Sequence, residues 1–118
     1  MYPALVSSLF YLNDAMALHA VREVFQAAEG VLVNSAVSVN MLSWIRAAMH
    51  CLAVMPSPYF LMQASSFHTL MGYVQHEDIR HQVLEEGIGI LCEKRETEGR
   101  YEALQWWMKF NRDFTLKL

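Results

Sequence analysis

Residues 47–76 read AAMHCLAVMPSPYFLMQASSFHTLMGYVQH, a run without one Asp, Glu, Lys or Arg. Its only sharp break is Met55-Pro56-Ser57-Pro58. Pro56 ends a helix, Ser57 suits the cap of the next, and Pro58 suits a first helical position, where a missing N–H costs nothing. The run therefore reads as the end of one apolar helix and the whole of another. The first starts from a cap at Ser35 or Asn34 and reaches about Val54. It is apolar nearly all round (Val37, Met41, Leu42, Trp44, Ile45, Met49, Leu52), which places it in the centre of a bundle. The second runs from about Pro58 to Tyr73, with Phe60, Leu61, Ala64, Phe67, Leu70 and Met71 as its buried side and Gly72 near its end. Neither is a membrane span, because the prolines split the run and Ser, His, Gln and Thr interrupt the rest.

Upstream, Asp14 to Glu29 is an amphipathic helix by period. Asn13 is its N-cap and Gly30 its expected stop. His19, Arg22, Glu23, Gln26 and Glu29 form a polar stripe. Ala17, Val21, Val24 and Ala28 lie opposite, with Leu18 and Phe25. Pro3 suits a first turn, so Ala4 to Leu12 is a short preceding helix or a continuation. Val31–Val39 is β-prone and alternates weakly, which leaves strand and helix both open. A lone strand needs a partner and no other stretch reads as one, so Val31–Val33 is expected to be a connector.

Downstream, a helix begins at Gln75 or His76, with Glu77 and Asp78 complementing the dipole of its first turn. Ile79, Val83, Leu84, Ile88, Leu91 and Cys92 form its apolar stripe. Gly87 and Gly89 weaken it by roughly 1 kcal/mol each relative to alanine, or else mark a kink or a close helix crossing. Lys94 and Arg95 lie near its end and Gly99 closes it. A last helix runs from about Arg100 to Asp113, with Tyr101, Leu104, Trp107 and Met108 inward and Trp106 and Phe110 flanking. The expected fold is all-α: one domain, residues 1–118, of about five antiparallel helices in a compact bundle or a short helical-repeat array.

The charge distribution is lopsided. Sixteen of twenty-one charged residues follow His76; only Asp14, Arg22, Glu23, Glu29 and Arg46 serve the first seventy-six positions. So little polar material cannot cover that segment's apolar surface, which must form the core, meet a partner, or both. The net charge of −3 and the scatter of nine Lys and Arg residues argue against a nucleic-acid ligand. Cys51 and Cys92 make no disulfide framework and suit a reducing, cytoplasmic setting. The start MYPALVSSLFYLN has no basic n-region and no clear cleavage site, and reads poorly as a signal peptide.

Ile88 to Phe110 resembles part of a tetratricopeptide repeat. Ile88 and Leu91 fit early large positions of that helix pair, Cys92 a small one, and Gly99 and Tyr101 the turn between its helices. Leu104 lies where alanine is usual, and Arg95 replaces an expected aromatic. The likeness covers about a fifth of the chain. It implies a scaffold that binds a peptide or helix in a groove, as small helical secretion chaperones do.

No catalytic signature stands out. His50 and Cys51 are adjacent on a helix and point apart, which does not suit a Cys–His pair. There is no G-x-S-x-G elbow, and the Gly87–Gly89 stretch is too short for a phosphate loop and lacks its lysine. Histidines and acids cluster in QHEDIRHQVLEE, residues 75–86. Asp78 and His81 have the carboxylate-x-x-His spacing of bundle di-metal sites. An alternative reading is therefore a metal-binding helical bundle, with His68, Glu77, Asp78 and His81 as ligands and Glu23 opposite. The blander reading is a solvated helix start.

The eight methionines suit either core filling or an adaptable binding face. Adjacent Trp106 and Trp107 point roughly 100° apart, so one neighbour cannot bury both. The expected function is a non-catalytic protein–protein interaction module, a chaperone-like adaptor or regulator without cofactor. It would seat a partner segment, or its own copy, in an apolar helical groove. Trp44, Met49, Phe60, Met62, Trp106, Trp107 and Phe110 are the candidate contacts. A viral or mobile-element inhibitor of a host complex has the same physics.

Overall fold

The computed structural model describes residues 8–34, 39–93 and 97–116. Six helices span them: α1 (residues 8–12), α2 (Asp14–Val33), α3 (Val39–Val54), α4 (Ser57–Met71), α5 (Glu77–Leu91) and α6 (Thr97–Leu116). Among the described residues there is no strand. The radius of gyration is 13.6 Å, against about 13.5 Å for a compact domain of this length. The fold is an all-α bundle.

Local chemistry accounts for the helix ends. Asn13 has extended backbone, and its side chain accepts a hydrogen bond from the Met16 N–H at 3.2 Å, which satisfies one orphan donor of α2. Gly30 does not stop that helix. It stays helical, α2 runs one turn further, and Val31–Val33 is that last turn rather than a connector. Burial of Leu32 rewards the extra turn, since its side chain is enclosed in the core. Asn34 is the C-cap of α2; the proposed cap at Ser35, like Val37 and the Lys94–Arg95 pair, lies outside the described residues.

At the proline break, Pro56 is itself the N-cap and Ser57 opens α4, one residue earlier than expected. His76 caps α5 without a side-chain bond. Gly99 does not end α5 but is the third residue of α6.

The five long helices pack as a closed ring in the order α2, α3, α5, α6, α4 and back to α2, with α3 also touching α4. Short turns favour antiparallel packing of each helix against its successor. α4 and α5 break that rule, since the two helices do not pack along their lengths and meet only through side chains at the end of α4; α5 lies on α3 instead. α3 and α4 each touch three helices, and α3 supplies more of the core than any other helix. Met41, Ile45, Ala48, Met49, Cys51, Leu52 and Ala53 all lie in the core.

Two polar contacts join α3 to α5 and to the turn that follows it. Arg46 donates from Nε and Nη2 to the two carboxylate oxygens of Glu86, at 2.8 and 2.6 Å. His50 stands 3.9 Å from Glu93. At the other end, Tyr59 donates to Asp14 at 2.8 Å and stacks on Phe10.

The α4–α6 seam is aromatic. Phe67 packs against Trp106, Trp107 and Phe110, Phe110 stacks on Phe114, and Phe60 meets Trp106 edge-on. The phase of α6 differs from the sequence reading. Ala103, Trp107, Phe110 and Phe114 are buried, whereas Tyr101 and Met108 face outward. On α4, Gln63 takes the buried place assigned to Leu61, which is exposed. On α5, Ile88 and Cys92 are exposed and Gly87 is buried in their stead.

Candidate functional site

The seven candidate contact residues divide by burial. Met49, Phe60, Trp107 and Phe110 are core side chains. Trp44 and Trp106 are half-buried and pack against that core. Met62 is 56% exposed on the outer face of α4. The fold brings Phe60, Trp106, Trp107 and Phe110 into one cluster, but as an interior seam. Met62 stands away from it, and Trp44 and Met49 belong to α3. Of the paired tryptophans, Trp107 is the enclosed one and Trp106 lies at the edge, stacked on Phe110.

The histidine–acid cluster does not converge. Glu77, Asp78 and His81 are exposed on α5, His68 sits edge-on to Phe110 on α4, and Glu23 pairs with His19 at 2.8 Å. Among the described residues no three His, Cys, Asp or Glu side chains gather as a metal site would require. Cys51 is no better placed for chemistry. Burial pushes its thiol up to about 11, and an inert thiol of that kind is structural.

Apolar surface remains outside the core, mostly in the charge-poor half. Tyr11, Leu12, Met16, Val33, Leu61, Met62 and Tyr73 are exposed there. Met62 stands at the lip of an open groove between α2 and α4 of about 410 Å³. Phe25 and Leu70, both buried, supply its apolar floor. Arg22, Gln26 and Glu29 form the α2 rim; Met62, Ser66 and Thr69 form the α4 rim.

Gln63 lies between them. Among the described residues it is the buried polar side chain, 6% exposed, and it lines the groove. Among the described residues its carboxamide has no hydrogen-bond partner. Among the described residues the buried side-chain polar atoms without a partner are Glu102 Oε1 and Trp107 Nε1; the polar end of Gln63 keeps solvent access and so presents an unused acceptor and two donors to the groove. Sequence reasoning missed it although a signal was present. Gln63 falls three residues after Phe60 and four before Phe67, on the stripe that carries the core. A polar side chain at a core register is a candidate for recognition.

Among the described residues no helix is long and apolar enough to cross a membrane. No protein-family model, no curated protein and no solved structure matches this chain.

Proposed function

We propose that this protein is a non-catalytic interaction module that seats an apolar segment of a partner protein in the groove between α2 and α4. The unpaired carboxamide of Gln63 carries the reading. It offers one acceptor and two donors to a peptide unit, at the base of a groove whose floor and lip are Phe25, Leu70 and Met62. A segment laid there brings its own amide to Gln63 and a bulky apolar side chain to Met62, whose thioether adapts to irregular shapes. Arg22 and Glu29 on the rim set orientation through opposite charges.

Random-peptide display against the intact protein tests this. Sequences rich in bulky apolar residues are expected to be enriched, and the enrichment is expected to vanish with Met62→Glu and weaken with Gln63→Leu. Failure to enrich any peptide, or enrichment indifferent to Met62→Glu, overturns the reading. Light scattering on a dilution series covers the remaining occupant. A dimer abolished by Met62→Glu would assign the groove to a second copy and overturn the partner-protein reading.

A further inference from the structure

A second cavity, of about 450 Å³, opens where the end of α4 meets α5 and α6. Ser65, His68, Thr69, Gly72, Arg80 and Phe114 line it. In a chain of net charge −3, the described lining residues supply a guanidinium, an imidazole and two hydroxyls, and no carboxylate is among them.

Arg80 is held rather than free. Its Nε donates to the Val74 carbonyl at 2.6 Å, and the guanidinium carbon sits 4.7 Å over the ring centre of Phe114. Those two contacts fix the plane of the fork and leave both Nη groups without a protein acceptor among the described residues. Glu77 and Asp78, near it in sequence, and Asp113, beside Phe114, form no ion pair with it. His68 is oriented by its edge-on contact with Phe110 at 5.3 Å, and its ring nitrogens have no hydrogen-bond partner among the described residues. Thr69 uses its hydroxyl proton on the Ser65 carbonyl, while the Ser65 hydroxyl stays exposed.

We propose that this cavity is an oxyanion site, in which the Arg80 fork grips a carboxylate or phosphate group and the His68 and Ser65 side chains donate to its remaining oxygens. A guanidinium pre-set by a backbone bond and an aromatic face loses little freedom when it binds. Two parallel N–H···O bonds to one anion are the geometry it favours. The inference is independent of the α2–α4 groove, although Thr69 borders both cavities.

Inorganic phosphate and acetate, titrated separately into isotope-labelled protein, distinguish the two oxyanions. The expected result is saturable movement of the Arg80 Nε–H, His68 ring and Phe114 ring resonances with at least one of them. Arg80→Gln is expected to weaken that binding about ten-fold or more. Arg80→Lys keeps the charge without the fork and is expected to fall between the two. Because Arg80 also anchors Val74, His68→Gln provides a variant that leaves that anchor intact, and it is expected to weaken binding several-fold. No saturable movement with either anion overturns the proposal. So does movement that survives in both Arg80→Gln and His68→Gln while the amide spectrum shows them folded.

Discussion

Gly87 of α5 is the socket for the indole of Trp107 of α6. A Cβ at position 87 would overlap Cζ2, Cη2 and Cε2 of that ring. The ring has nowhere to retreat, because Phe110 stacks on it at 5.1 Å and Phe67 lies 6.4 Å away. The α5–α6 interface is thus set by the absence of one methyl group.

Gly87→Ala is therefore expected to destabilise the fold. Overpacking a filled core costs about 1–3 kcal/mol, which exceeds the roughly 1 kcal/mol that alanine adds to helix propensity. Gly89, two residues on, has nothing within 4 Å of its added Cβ, so Gly89→Ala is expected to gain up to about 1 kcal/mol. Urea midpoints of the two variants should move in opposite directions. A Gly87→Ala midpoint at or above wild type would show that the indole can shift.

Glu86 provides an acid-sensitive contribution. The hydrogen bonds from Arg46 hold its carboxyl below the ordinary carboxylate range, with the Arg46 and His50 charges adding to the effect. A folded pKa below the unfolded one stabilises the protein above the unfolded value, about 4.3. That stabilisation is lost as pH falls through the folded value. The side chains are 43% and 34% exposed, so water screens the pair and its worth is about 1 kcal/mol or less. Glu86→Gln should lower stability by that amount at neutral pH, and the two proteins should converge on acidification. A difference that stays constant across the acid range would contradict this.

The two cysteines should behave differently. Cys92 is exposed and Cys51 is buried. A thiol reagent at neutral pH is expected to label one site in the native protein and both after unfolding. Burial raises the Cys51 thiol to about 11, above the ordinary value near 8.5. Its share of stability is therefore complete below the ordinary value and declines as pH climbs toward the folded one. Cys51→Ala should flatten the loss of stability in that alkaline window. Rapid native labelling of both thiols would show that α3 opens readily.

Gln63 should serve binding rather than stability. Its side chain is mostly enclosed, but its polar end keeps solvent access, so replacing it by an apolar side chain of similar length, as in Gln63→Met, removes no desolvated group. A change in stability within about 0.5 kcal/mol is expected. A large loss in chemical denaturation would mean that the carboxamide is bonded within the fold.

Legibility varied along the chain. The Asn13 cap, the break at Pro56 and the central place of α3 followed from the sequence, because each rests on interactions within a few residues or on the sheer lack of polar faces. The inward faces of α4 and α6 were harder to read. Both helices carry large apolar residues at several phases, Leu61 beside Phe60 in one and Tyr101 and Met108 beside Trp107 in the other. Period alone ranks such faces nearly equally. The neighbour that arrives decides among them, and small residues such as Ala103 and Gly87 win buried places because they admit large ones. The groove was only half visible: Met62 was singled out, but Gln63 was passed over because a polar residue adds nothing to a count of apolar positions.

By itself the sequence determined that this protein is a set of helices with one nearly uncharged helix at its centre. Backbone dihedrals, caps and proline breaks are short-range matters. Only the tertiary structure decided that α5 lies against α3 rather than α4, that Gly87 receives Trp107, and that Gln63 and Arg80 face cavities. Those outcomes depend on which of several similar apolar surfaces fit together without voids, and shape complementarity between distant segments is not written in local spacing.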